Sequence, residues 1–372
     1  MFIVNKPKII IAAIACRPYV QAAVACGYTV VAIDGFADVE VSNLTESCYQ
    51  LDFSNGQLNM HQLMQVLNGL DLQQFVGFCY GAGFENEPAM LLRINALLPV
   101  IGNLEQEVSR CKAPDNFFSL CDQLQVPYPK VIFNLPSNPA GWLRKEIGAS
   151  GGAHVKQLDY LQENEVDAGY YQQFQQGKPV SCLFIASEHD KQEPLVQIIG
   201  FNEQFVNPCR DSPFRYGGAV SNIDISEMAK VRFEHYVNQL SKAIGLVGLN
   251  SCDAICDGDR IYVLEINPRL SATMDLYTDY QLFKKHMAAG NGEMVEFEQD
   301  FTKSHAQYVI YAEHAMTIKG DIVWPAWVYD RPVAGSFLTA GMPVCTVVAE
   351  AETAEQAKYL VLERAVLMTR EF

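Results

Sequence analysis

Residues able to do chemistry gather most closely in the stretch VLEINPRLSATMD, Val263 to Asp275. It reads as a strand stopped by Pro268, with a carboxylate at Glu265, a carboxamide at Asn267 and a guanidinium at Arg269. Side chains alternate faces along a strand, so Glu265 and Asn267 project together while Leu264 and Ile266 point into a core. Two oxygen donors beside a fixed cation suit a metal ion and an anion. A strand capped by a polar turn would use the same residue types, so the surrounding elements have to decide.

The first of these lies just upstream. LNSCDAICDGDRIYVLEIN reads as two strands around Asp257-Gly258-Asp259, a good turn signal. With those three residues as the loop, Cys256 pairs with Arg260 and Asp253 sits across from Val263. Glu265 is then the diagonal neighbour of Asp253 on one face, and diagonal positions about 7–8 Å apart can reach a single ion. A two-residue loop would put Asp253 on the opposite face and remove the site. So few hard oxygen ligands suit Mg²⁺ completed by nucleotide phosphates and water. None of the seven histidines joins a Cys/His cluster, so zinc is unsupported, and no G-x-S-x-G elbow stands out.

The second element is a glycine loop. A strand at Trp142 to Glu146 runs into IGASGGAHVKQ, where Gly148, Gly151 and Gly152, with Ala149 and Ser150 between them, let backbone N–H groups approach phosphate oxygens. This loop joins two expected strands, whereas a Walker loop runs from strand to helix and ends in G-K-[S/T]. Lys145 just before it supplies a cation for the same phosphates. A flexible hairpin has the same composition.

The rest of the chain frames these pieces. Lys8 to Ile14, a helix from Tyr19 to Cys26 and a strand Thr29 to Ile33 make a β-α-β opening of the kind that builds parallel sheets. Asp34 ends the second strand, but the first turn reads AIACRP and lacks G-x-G-x-x-G, which leaves Asp34 as a loop residue or helix cap. A helix at His61 to Leu67 leads to a strand Gln74 to Tyr80 and the loop GAGFENEP, where Glu85 could face a substrate amine or simply be a solvated acid. Two helices separated near Pro114 follow, with Lys112 at their junction and Phe117, Leu120 and Leu124 on one face. A helix from Ile225 to Ile244 directs Met228, Val231, Tyr236, Leu240 and Ile244 to a core, and Gly245 ends it.

The whole chain sets limits. It has 372 residues, enough for two or three domains, and 27 basic against 43 acidic residues give a net charge of −16. That balance argues against a nucleic-acid or anionic-membrane surface. Eleven scattered cysteines without a C-x-x-C pair fit reduced thiols and a cytoplasmic location better than a disulfide framework. The apolar run Ile9 to Cys16 is too short to span a bilayer.

Taken together, these residues resemble the ATP-grasp superfamily, in its carbamoyl-phosphate synthetase and biotin carboxylase-like branch. The resemblance is carried by ENPR-like EINPR with its upstream acid, the strand-flanked GASGG loop, and the order of parts along most of the chain. It implies an α/β and α+β fold: a Rossmann-like pre-domain over 1–102, a small lobe with the glycine loop over 103–180, a large lobe with the magnesium site over 181–295, and a C-terminal β-rich segment and helix over 296–372. By position, Lys112, Lys145, Gly148, Ser150, Gly151 and Gly152 match the phosphate-binding set. Gln172, Gln173 and Phe174 match the hinge that holds adenine. Asp253, Glu265 and Asn267 match the magnesium ligands, for which Mn²⁺ is a possible substitute. Arg269 matches the arginine near the transferred group. Lys145 and Arg215 join it as catalytic candidates, and substrate specificity is expected, beyond what the resemblance settles, near Glu85, around Arg215 to Tyr216, Gly217 and Gly218, and at Ser271 and Asp275. The sequence departs at the hinge, which reads QQFQQGKP where glutamates are usual, and at Lys145-Glu146 in place of Lys-Pro.

The resemblance implies an ADP-forming, ATP-dependent carboxylate–amine or carboxylate–thiol ligase working through an acyl phosphate. Addition of an amino acid such as glutamate to a one-carbon cofactor precursor is one form of it. The alternatives are a bicarbonate-using carboxylase and a catalytically degenerate nucleotide-binding module. A homodimer acting on small molecules, with no nucleic acid or membrane partner, completes the expectation.

Overall fold

The structure, a computed structural model, describes residues 6–54, 56–158, 169–187, 195–277, 281–296 and 301–372. Near the amino terminus a parallel sheet runs in the order Ser47–Gln50, Thr29–Asp34, Lys8–Ala13, Phe75–Tyr80, with the two apolar central strands buried on both faces and the Ser47–Gln50 edge only half-buried. Helices Arg17–Ala25 and Met60–Gly69 connect them. Asp34 is fully buried and caps the loops at the sheet's carboxyl edge. Its oxygens accept from Cys16 N and Phe36 N at 2.6 Å and from Ala37 N at 2.7 Å. Asp34 is thus the loop cap that the sequence left open as one of its two readings.

The helices Glu105–Lys112 and Pro114–Leu124 meet at Ala113, where the proline serves as a first-turn residue of the second helix. Phe117, Phe118 and Cys121 form its buried face, with Leu120 and Leu124 packed at the margin. A small antiparallel sheet follows in the order Val131–Ile132, Tyr170–Gln173, Trp142–Lys145, Lys156–Gln157.

The largest sheet has eight strands, all antiparallel. In order they are Arg260–Asn267, Gly248–Asp257, Lys178–Ser187, Leu195–Val206, Tyr216–Ser221, Ser304–Tyr311, Pro343–Ala351 and Val328–Tyr329. The carboxy-terminal strands thus continue the sheet that carries the acidic hairpin. Helix Ala354–Thr369 packs on them.

Helix Glu227–Ile244 is capped by Ser226, whose Oγ accepts from Ala229 N, and ends at Gly245 with φ +89°. Its buried stripe is Ala229, Phe233, Val237, Leu240 and Ile244, so the expected face is corrected: Met228 and Val231 are exposed. Leu240 and Ile244 fit both readings. Phe233, the largest apolar side chain of the buried stripe, decides which stripe is buried.

Candidate active site

The hairpin turn contradicts its expected length. Asp257 pairs with Arg260, leaving a two-residue turn of Gly258 and Asp259, with Gly258 at φ +61°. In a regular ladder this would place Asp253 opposite Leu264 and turn Glu265 to the other face. The register instead slips between Asp253 and Ala254: Ala254 pairs with Val263, Asp253 with Glu265, and Ser251 with Asn267. Leu264 is the extra residue of a β-bulge, which sets two residues of one strand against one of the other. Asp253 and Glu265 are therefore direct cross-strand neighbours rather than diagonal ones. Leu264 lines the cleft beside Glu265 rather than joining the core, while Ile266 is fully buried as expected.

This hairpin forms one wall of a cleft of ≈ 280 Å³. Lys112, Lys145, Gly148, Gly151, Gly152, Gln172, Gln173, Phe174 and Tyr216 of the sequence candidates also line it, with Asp253 and Glu265. The pieces come from three places: the helix end at Lys112, the small sheet, and the large sheet. Asn267 is buried next to the acids, its Nδ2 donating to Asp253 Oδ2 at 3.1 Å. Gln204 Nε2 donates to Asp253 Oδ1 at 2.9 Å. Lys112 Nζ donates to Glu265 Oε2 and to Asn267 Oδ1, each at 2.8 Å.

The electrostatics separate the two acids. Burial and the charge of Glu265 push Asp253 up to about 7, against the pull of Lys112 and the Gln204 hydrogen bond. Burial would raise Glu265 too, but Lys112, through charge and hydrogen bond, and then Lys145 and His154 hold it down at about 2. Burial lowers Lys145, opposed by Glu265 and Asp253. Among the described residues no three His, Cys, Asp or Glu side chains cluster as a metal-holding group. Two carboxylates and a carboxamide fit a hard dication that keeps open positions for phosphate and water.

The glycine loop lies between paired strands, with Leu143 opposite Gln157 and Arg144 opposite Lys156, as its flanks implied. Gly152 has φ +72°, and a Cβ there would lie 2.0 Å from Phe214 O. At Gly148, φ +70°, a Cβ would lie 2.0 Å from Asn86 Oδ1. Gly151 O accepts from Tyr216 N at 2.9 Å. The loop is thus docked on both the large sheet and the amino-terminal unit. Ser150 sits against Gly56 rather than in the cleft.

Several candidates lie apart from the cleft lining. Arg215 donates to Asn207 O and Oδ1 and stacks 3.8 Å from the Tyr311 ring centroid. Gly217 and Gly218 sit where a Cβ would meet the backbone of Val206–Asn207 or of Gln307, so strand packing explains both. Glu85 is no solvated loop acid. Its Oε1 accepts from Arg269 Nε at 2.6 Å, and its Oε2 accepts from Gly83 N and Phe84 N. Burial raises this carboxyl, but Arg269 and Lys112 bring it below the usual range. Arg269 is buried as well, its Nη2 3.4 Å from Asn267 Oδ1. Ser271 Oγ shares a hydrogen bond with Thr273, and Asp275 pairs with Arg17 at 2.7 Å.

Gln204, Leu264 and His154 are among the cleft residues that the sequence did not reveal. Gln204 gave no signal, because its partner comes from a strand about fifty positions away. Leu264 became visible only through the bulge. His154 was within reach, two residues past Gly152: it lines the cleft, and its Nδ1 is enclosed without a hydrogen-bond partner. Gln172 is buried with its Nε2 likewise unpartnered, while Phe174 is half exposed at the cleft's rim.

Residues 117–273 match the family described as the ATP-grasp domain. The chain superposes on an L-amino acid ligase from Bacillus licheniformis with a TM-score of 0.72 at 15% identity, covering 97% of each chain. The biotin carboxylase domain dimer of the Hydrogenobacter thermophilus 2-oxoglutarate carboxylase, in complex with MgADP, ADP and bicarbonate, gives 0.72 at 14% identity over 96% of this chain and 90% of that one. Pyruvate carboxylase from Rhizobium etli gives 0.73 at 14% identity, over 97% of this chain and only 39% of that longer one. A comparison with curated proteins finds no match. The match to the ATP-grasp domain covers less than half of the chain, and over nearly its whole length the chain has the ATP-grasp fold. Among the described residues no helix is long and apolar enough to cross a membrane.

Proposed function

We propose that the protein is an ATP-dependent ligase that joins a carboxylate to an amine or thiol and releases ADP and phosphate. One observation carries the reading: the Asp253–Glu265 cross-strand pair faces the glycine loop and Lys145 across a single cleft. The carboxylate substrate takes the terminal phosphoryl group to give an acyl phosphate, and the nucleophile then displaces phosphate from it. No protein nucleophile is needed, because positioning and charge neutralisation lower the barrier.

The residues divide this work. Lys145 and the N–H groups of Gly148 to Gly152 bind the phosphates. Asp253, Glu265 and Asn267 would hold Mg²⁺, or Mn²⁺ in its place, and the ion supplies charge neutralisation on the phosphoryl oxygens. Leu264 and Phe174 offer apolar surface to the base. The carboxamide of Gln172 carries both a donor and an acceptor, the pattern needed by an adenine edge, in place of the usual hinge glutamate. Arg269, held by Glu85, is fixed beside Asn267, where a buried cation stabilises developing negative charge. Docking of the glycine loop on Phe214–Tyr216 excludes water from the reacting centre.

The test is a phosphate-release screen of carboxylates against pooled amines and thiols. Release that needs both partners and disappears in Glu265→Ala supports the ligase. Release stimulated by bicarbonate alone would move the reading to a carboxylase. Tight ADP binding with no release under any pairing would favour a nucleotide-binding module. The identity of the carboxylate, including a glutamate-accepting cofactor precursor, falls to the same screen.

A further inference from the structure

Lys112 ends the helix Glu105–Lys112, where Ala113 and Pro114 turn the chain away. Its ammonium holds Glu265 Oε2 and Asn267 Oδ1 at 2.8 Å each, and its side chain is only 5% exposed. Arg269 Nη2 reaches the same Asn267 oxygen at 3.4 Å. A dication coordinated by Glu265 and Asn267 needs the lone pairs that these protons occupy. Ammonium and dication carry like charge and compete here: Lys112 occupies one of the two Glu265 oxygens, and Asn267 Oδ1 already accepts from both Lys112 and Arg269, so a dication binds well only once the ammonium withdraws.

We propose that Lys112 makes metal binding conditional on nucleotide. Its ammonium holds Glu265 and Asn267 until phosphate oxygens offer it other partners, and only then are the two ligands free for the ion. The four-carbon stem gives the ammonium the reach to exchange partners, and it already lines the cleft that holds Lys145 and the glycine loop. Lys145 provides the contrast. It feels Glu265 and Asp253 through space but donates a hydrogen bond to neither. The inference rests on the nucleotide-binding reading above and fixes an order of addition within it: nucleotide first or together with its metal, never metal first.

The experiment measures Mn²⁺ binding to the full chain by the electron paramagnetic resonance of the free ion, without nucleotide. Lys112→Met is expected to bind Mn²⁺ about ten- to a hundredfold more tightly than the unaltered protein, since two charge-assisted hydrogen bonds no longer compete. Lys145→Met removes a nearby charge without freeing a ligand and is expected to gain far less. Equal gains in both variants would mean that charge alone acts, and no gain in Lys112→Met would mean that the ligands are not held; either result overturns the proposal.

A second measurement needs no variant and stands if Lys112→Met fails to fold. ADP should bind the unaltered protein in the presence of a chelator, and ADP should raise Mn²⁺ affinity beyond that of the Mn²⁺–ADP complex in solution. Mn²⁺ binding as tightly without ADP as with it overturns the proposal. If ADP binds no form of the protein, the nucleotide reading fails, and the Mn²⁺ comparison between Lys112→Met and the unaltered chain still decides whether Lys112 holds the ligands.

Discussion

Two clusters in this molecule are built from one cation set between acids, and they behave differently. In the cleft, Lys112 lies against Glu265 and Asn267, with Asp253 beside them. At the junction of the amino-terminal unit with the large sheet, Arg17 is buried between Asp275 at 2.7 Å and Asp330 at 2.6 Å, with the Tyr329 ring 5.0 Å away. Arg17 spends its fixed fork of donors: Nε and Nη2 go to Asp330, Nη1 and Nη2 to Asp275, and Nη1 also to Gln21. Burial would lower its pKa, but Asp275 and Asp330 raise it, so the guanidinium stays charged. Glu265 is different. It is 35% exposed to the cleft and shares one oxygen with a flexible ammonium. A planar, always-charged fork closes a site, whereas a point charge on a mobile stem leaves one able to exchange partners.

The sharpest way to break this comparison is at Glu265. Glu265→Gln should lower substrate-dependent ADP release by about a thousandfold, in the range for losing a key electrostatic contact, while circular dichroism shows the fold retained. A stability loss as large as the activity loss would put the cleft pair in the same class as the junction. Arg17→Met should do the reverse. Removing the guanidinium strands two partly buried carboxylates and should cost about 3 kcal/mol in urea unfolding, with Mn²⁺ affinity unchanged.

His286 offers a third case, a titratable ring buried with no acid beside it. It is 2% exposed, its Nδ1 accepts from Leu249 N at 3.0 Å, and burial lowers it to about 4 from 6.5. A folded-state value below the unfolded one means that the unfolded chain binds more protons between these limits. This stabilisation is therefore complete above about pH 6.5 and lost as pH falls toward about 4. At pH 5 the ring should cost about 2 kcal/mol relative to neutral pH, and His286→Asn should flatten that part of the stability profile. The smallest effect is expected at the glycine loop. Gly152→Ala should lose about 1 kcal/mol from the positive φ alone, and if the loop shifts to clear the Phe214 carbonyl, turnover should fall more than stability does.

Much of the frame was legible because it depends on local pattern. The β-α-β opening, the break at Pro114, the strand-flanked glycine loop and the stop at Gly245 all come from residues that act on their own neighbours. The site was legible only in part. Asp253 and Glu265 do share a face, but by a bulge that cancels the turn length rather than by the turn expected. Glu85 read as a lone acid because its partner Arg269 is far along the chain. Arg215 and the two glycines after it read as a binding motif, yet Tyr311 and the neighbouring strands account for them. Helix Glu227–Ile244 carries two overlapping apolar stripes, and only the sheet it covers selects between them. Glu85, Arg215 and the helix stripe each turn on a partner from a distant segment, about which periodicity carries no information, whereas the bulge is local and alternation alone does not report it.

The bulge at Leu264 has a consequence for how this hairpin tolerates changes of length. A regular strand never presents two consecutive side chains to one side, yet here an apolar and an anionic residue both line the cleft. Loss of Leu264 alone would restore an unbroken ladder and still leave Glu265 opposite Asp253, deleting the apolar contact and sparing the acid pair. A single residue lost from the turn instead would shift the whole second strand and carry Glu265 to the buried side. Insertions and deletions in this segment are therefore unequal: those at the bulge edit what the cleft accepts, and those at the turn erase its acids.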